Sequence, residues 1–143
     1  MGKKRIVKKG AEGGGGGARS TAARTPRRKL DTAVLHVEAT YNNTKVSLTD
    51  PNGNVVSWSS SGSLGFTGAK KGTPFAAAKV GELIGERAGA MGVKEVSVVV
   101  VGIGSGRESA IRSFATKGIH ITSIQDATPV PHNGPRPPRP RRV

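Results

Sequence analysis

The sequence predicts an α/β domain with the element order βββ-α-β-α-β, an antiparallel meander joined to two crossover units. Three observations carry that prediction. Short segments between residues 33 and 58 alternate apolar and polar side chains, as half-buried strands do. After Thr73-Pro74 the apolar residues recur at helical spacing. A valine-rich run from Val96 to Val101 then leads through a glycine-rich turn into a second helical segment.

The first strand is predicted over 33–39, where Ala33, Leu35, Val37 and Ala39 alternate with Val34, His36 and Glu38. Tyr41-Asn42-Asn43-Thr44 supplies a turn. Val46 and Leu48 resume the alternation until Asp50-Pro51-Asn52-Gly53-Asn54, a strong hairpin signal. Val55 to Trp58 makes the third strand, and Ser59 to Gly72 reads as a Ser/Gly loop. Thr73 is placed to cap a helix with Pro74 in its first turn. Ala76, Val80, Leu83, Ile84, Arg87 and Met91 form its apolar stripe, and Gly92 its stop. Val96 to Val101 reads as a strand buried on both faces. A second helix is expected at about Arg107 to Lys117, closed by Gly118, and a last strand from Ile119 to Ile124.

The chain has 143 residues, enough for one domain of modest core. With no cysteine it can build neither a disulfide scaffold, a thiolate metal site nor a cysteine nucleophile. No run of 18 apolar residues offers a membrane span. Met1 to Lys9 is basic without the apolar segment of a signal peptide, and Ile6 stands where myristoylation needs Ser or Thr. The net charge is +14 and unevenly spread. Residues 1–30 carry ten basic groups and one acid around a five-glycine run, Gly13 to Gly17. Residues 129–143 hold six prolines and four arginines, an extended, semi-rigid arm. The body between them, residues 31–128, is nearly neutral. A near-neutral body with two cationic tails implies a polyanionic partner.

Several motifs point the same way. Gly102-Ile103-Gly104-Ser105-Gly106 between a strand and a helix, with Arg107 beside it, has the makings of a phosphate cradle. Gly104, Gly106 and Arg107 are its candidate contacts, and a tight connection holding no ligand is the alternative. Its spacing is one residue short of a dinucleotide fingerprint and lacks the ending of an NTPase loop. Lys70 and Lys71 sit in a loop with Trp58 and Phe66, rings that could stack on unpaired bases or plug the core. Gly81, Gly85 and Gly89 recur every fourth residue of the first helix, a pattern of close packing on the sheet or on a partner. His36, His120 and His132 share no metal-ligand spacing, and no catalytic triad or carboxylate pair is visible, so neither metal nor cofactor is expected.

Asn42-Asn43-Thr44, Asp50-Pro51-Asn52-Gly53-Asn54-Val55, Ser57-Trp58-Ser59-Ser60, Gly65-Phe66, Thr73-Pro74-Phe75-Ala76-Ala77 and Gly106-Arg107-Glu108-Ser109-Ala110-Ile111-Arg112 resemble a known family. Most specific is Asp126-Ala127-Thr128-Pro129-Val130-Pro131-His132-Asn133-Gly134 ahead of an Arg/Pro-rich end. Residues 31–143 resemble the universal small-subunit ribosomal protein eleven family in its bacterial form. The resemblance implies a ribonuclease-H-like mixed five-stranded sheet without nuclease carboxylates. It implies a non-enzymatic protein of the small-subunit platform that binds small-subunit rRNA. The expected neighbours are other platform proteins and the path of departing mRNA with its Shine–Dalgarno helix. A homo-oligomer is not expected. The expected setting is the cytoplasmic ribosome, with an organellar one left open. The RNA contacts expected are Asn42, Asn43, Lys70, Lys71, Gly104, Gly106, Arg107, Arg112, His132, Asn133, Arg136, Arg139, Arg141 and Arg142. Two positions depart from the family pattern: Ile103 stands where proline is usual, and Pro135 where cysteine is usual. Asn133-Gly134 is in addition a candidate isoaspartate site. A nucleotide-dependent enzyme and a nucleoid-type DNA binder are the competing classes. The first lacks a base and a ribose-holding acid, the second a groove-reading helix.

Overall fold

A computed structural model describes residues 29–140 and Arg142. The basic tail expected over 1–30 therefore lies almost wholly outside the described residues, as does Arg141 of the arm. The strands are β1 (Thr32–Ala39), β2 (Thr44–Thr49), β3 (Val55–Ser60), β4 (Glu95–Val101) and β5 (His120–Asp126). The helices are α1 (Pro74–Ala90) and α2 (Gly106–Ala115), and a short 3-10 turn spans Gly68–Gly72. The predicted order βββ-α-β-α-β is the observed one. The five strands form one mixed sheet in the order β3-β2-β1-β4-β5. β1 is antiparallel to β2 and parallel to β4, and β4 is parallel to β5.

The hairpin between β2 and β3 closes as its residues dictate. Asp50 Oδ1 accepts from the amides of Asn52 (3.0 Å) and Asn54 (2.9 Å), and Asn54 Nδ2 donates to Asp50 Oδ2 (3.0 Å). Gly53 takes φ +91°, a conformation that favours glycine. Thr73 Oγ1 accepts from the Ala76 amide, so the expected cap and first-turn proline of α1 are both present.

One face of the sheet carries the core. Leu35, Val37, Val46, Leu48, Val96, Val98 and Val100 turn the same way and meet Ala77, Val80, Ile84, Ala110 and Phe114 from the two helices. Among the described residues no helix lies on the opposite face. His36, Glu38 and Lys45 are exposed there, and Val99 and Val101 are half-buried. This corrects the reading of β4 as buried on both faces: its alternate valines meet different surroundings because both crossover helices lie on one side. It also removes Trp58 from the core. Trp58 pairs with Ser47 in the sheet and is 55% exposed. Its carbonyl accepts from Arg87 Nη1 at 3.2 Å. β3 runs two residues further than predicted. β5 starts and ends later than predicted, ending at Asp126.

Two glycines of the row, Gly81 and Gly85, face α2 rather than the sheet. A Cβ at Gly81 would collide with the Ser113 hydroxyl and the Ala110 carbonyl, and one at Gly85 would lie 2.7 Å from Lys117 Cγ. Gly89 has open space where a Cβ would go. Gly81→Ala is therefore expected to destabilise by about 1–3 kcal/mol, since the backbone carbonyl cannot rotate aside. Gly89→Ala should stabilise by about 1 kcal/mol through helix propensity alone. Denaturant melts of the two variants check this, and equal shifts would contradict it.

Candidate nucleic-acid interface

β1, β4 and β5 are parallel, so their carboxyl ends (Ala39, Val101, Asp126) lie at one end of the sheet. The antiparallel pairing of β2 and β3 brings Thr44 and Ser60 to the same end. Both helices begin there, because each follows a strand that finishes there. Ligand sites of α/β sheets favour such ends. Here the end gathers the β1–β2 turn, the 3-10 turn with Lys70 and Lys71, the glycine turn and the root of the C-terminal arm.

Serine hydroxyls and close-packed glycines tie these loops together. Ser61 Oγ lies 2.7 Å from Asn43 Oδ1 and 2.8 Å from the Lys71 carbonyl, its one proton shared between them, while Ser105 Oγ donates to the Gly72 carbonyl (2.8 Å). Gly72 lies so close under the Tyr41 carbonyl that a Cβ would not fit. The backbone carrying Lys70 and Lys71 is thus fixed from three sides. Lys70 is exposed, and Lys71 is half-buried with its Cδ alongside Gly62. Asn42 is exposed at the tip of the turn. Asn43, half-buried, gives its side-chain oxygen to Ser61.

The glycine turn is closed. Gly102 takes φ +100° with its α-carbon against the Ala39 carbonyl. The Gly104 amide donates to that same carbonyl at 2.9 Å. Gly104 and Gly106 are both buried. A Cβ on Gly104 would strike the Thr40 carbonyl, and one on Gly106 would lie 2.7 Å from the Ala77 Cβ. Close packing against β1 and α1 thus accounts for these glycines. Ile103 is exposed in this turn. Arg107 is also engaged: Nη1 donates to the Gly102 carbonyl, and Nη2 pairs with Asp126 Oδ2 at 2.5 Å.

Asp126 and Thr128, which the sequence singles out only as part of the Asp126-to-Gly134 motif, complete this cluster. Asp126 Oδ1 accepts from the Thr128 hydroxyl (2.6 Å) and amide (2.9 Å), while Thr128 Oγ1 accepts from the Gly102 amide (3.2 Å). The Ala127 amide adds a rung to the Val100 carbonyl at 2.9 Å. The spacing Asp-x-Thr is itself a local turn signal, but its partners, Arg107 and Gly102, are distant in sequence. Thr128 and then Arg107 hold the Asp126 carboxyl well below the usual carboxylate range. A lowered folded-state value means the contribution is present above the ordinary aspartate value of 3.8 and fades as pH falls below it. Asp126→Asn is expected to melt lower at pH 7, with a gap to wild type that narrows below pH 3.8. Amide exchange at Thr128 should quicken in the same variant.

Beyond this cluster the arm projects outward. Val130 is 75% exposed, and His132, Asn133, Arg136, Arg139 and Arg142 are exposed as well. Asn133 adopts φ +58° and its Oδ1 accepts from Arg136 Nη2 at 2.8 Å. Arg112 lies apart, exposed on α2 about 9 Å along the helix from Gly106. The expected isoaspartate should form at Asn133 rather than Asn52. The Gly53 amide that would attack Asn52 donates to the Asp50 carbonyl at 3.0 Å. Isoaspartate-specific peptide mass spectrometry decides, and equal extents at the two sites would contradict it.

The sequence model of the family described as Ribosomal protein S11 matches residues 33–142, which include the body and nearly all of the arm. The small ribosomal subunit protein uS11 of Thermosynechococcus vestitus is 51% identical over 126 residues. That match covers 88% of this chain and 97% of the relative. The family match takes in the sheet from Ala33 onward, the two helices and the arm root, and the chain belongs to the ribosomal protein S11 family.

Proposed function

We propose that the carboxyl end of the sheet and the C-terminal arm bind small-subunit rRNA. The proposed setting is the platform, beside the path of departing mRNA and its Shine–Dalgarno helix, next to other platform proteins. Family membership makes the chain a structural constituent of the small ribosomal subunit and not an enzyme. The platform location and the mRNA vicinity rest on the motif resemblance.

The observation that carries the rRNA reading is the convergence of cations on one end. Lys70 and Lys71 sit on a backbone fixed by Ser61 and Ser105. An arm with four arginines leaves from the adjacent strand end, rooted by Asp126, Thr128 and Arg107. Lys70, Lys71 and the arm arginines meet phosphates. Asn42, His132 and Asn133 reach sugar or base edges. Gly104, Gly106, Arg107 and Asn43 act chiefly by holding that geometry, and Arg112 contributes charge from the flank. Co-sedimentation of the tagged full chain with small subunits, together with affinity for naked small-subunit rRNA, tests the reading. Exclusion from small subunits would refute it.

A further inference from the structure

The sequence offered Trp58 and Phe66 as rings for base stacking, and the structure brings a further ring against Phe66. Trp58 lies on the helix-free sheet face, and Phe66 is half-buried. A ring that faces solvent next to the lysine turn is Phe75, which is 64% exposed. It is the second residue of α1, just after the 3-10 turn of Lys70 and Lys71.

Folding does not explain Phe75. It is absent from the core cluster, and Thr73 and Pro74 already start the helix. Its surroundings are nonetheless built. Phe66 packs against it in a T-shape, with centroids 6.0 Å apart and planes at 83°. Lys79, one turn further along α1, holds its ammonium 5.7 Å from the ring centroid. The Lys70 carbonyl accepts from Thr73 Oγ1 at 2.7 Å, so the lysine turn and the helix start move as one piece.

We propose that Phe75 is a stacking platform for an unpaired nucleobase of rRNA, with Phe66 as its support and Lys70, Lys71 and Lys79 taking the flanking phosphates. The edge-to-face contact fixes the Phe75 ring in advance and so limits the entropy lost on stacking. Lys79 marks the electron-rich ring face and turns to phosphate when a base arrives. Charge argues for RNA over protein. Lys79 lies against the ring, the turn of Lys70 and Lys71 comes just before its helix, and the nearby acid Glu82 is already paired with Lys79 at 3.1 Å. Protein interfaces, by contrast, are depleted in lysine. This proposal rests on the rRNA reading of the same end.

The test is affinity of the full chain for naked full-length small-subunit rRNA at several salt concentrations. Phe75→Ala should bind about tenfold more weakly, and Phe75→Leu equally so, because leucine keeps apolar surface but has no π-face. Phe75→Tyr and Phe75→Trp should bind like wild type. Thermal melting should stay near wild type in Phe75→Tyr and Phe75→Trp and fall only slightly in Phe75→Ala and Phe75→Leu, which lose the contact with Phe66 while the core is untouched. The salt slope should be unchanged by Phe75→Ala. It should fall by about 1.4–1.8 when Lys70 and Lys71 are both replaced by Ala. Wild-type affinity in Phe75→Leu, while wild type itself binds, overturns the stacking proposal alone. So does a Phe75→Ala chain that binds naked rRNA normally but is lost from assembled subunits, which would assign the ring to a protein neighbour. No salt-dependent rRNA affinity in wild type would remove the underlying reading and the proposal with it.

Discussion

A chain ending at Thr128 is expected to fold as the full-length protein does and to fail to enter small subunits. The core cluster and the apolar residues packed on it reach no further than Ile121. The bonds that root the arm, from Thr128 to Asp126 and Gly102 and from Ala127 to Val100, all survive the cut. Beyond Thr128, Arg136 bonds within the arm to Asn133, and Gly134 lies close to Pro131. What is removed is four arginines on a segment whose prolines fix φ and withhold amide donors. Such a segment gives up few conformations when it docks, so its charge converts efficiently into affinity. Circular dichroism and a cooperative melt close to wild type, with no truncated chain in the small-subunit peak of a gradient, is the expected result. Normal incorporation would show that the body and the N-terminal segment suffice.

Affinity for rRNA is expected to fall on the order of a thousandfold or more when salt is raised fourfold. Lys70, Lys71 and the four arm arginines, with a share of the ten basic residues in 1–30, neutralise roughly eight phosphates. Each contributes about 0.7–0.9 to the slope of log affinity against log salt. Because the body is almost neutral, the slope belongs to the two tails and the lysine turn. Removal of residues 129–143 should therefore lower it by about 3. Filter binding or fluorescence anisotropy over a salt series measures both slopes. A nearly flat dependence for the full chain would contradict a phosphate-dominated interface.

The sequence alone determined the elements and their order, because those depend on neighbours along the chain. Alternation from Ala33 to Ala39 suits a sheet with one buried side, and Asp50 to Asn54 closes its hairpin through its own side chains. Thr73 and Pro74 start a helix with bonds that reach only three residues. The charge division between body and tails was equally plain, and so was the extended character of the arm. Only the tertiary structure decided what depends on residues far apart. Both helices cover the same face, so β4 is buried on one side and Trp58 is left in solvent. Gly81 and Gly85 make room for α2, whereas Gly89, with the same spacing, makes room for nothing. The glycine turn, legible as a cradle, packs against the carbonyls of Ala39 and Thr40, and its Gly104 amide is taken by Ala39. Arg107, legible as a phosphate ligand, is held by Gly102 and Asp126. A turn's composition shows which conformations its backbone can take. Whether its amides remain available depends on which strand lies beside it, and that is fixed by sheet order rather than by local sequence.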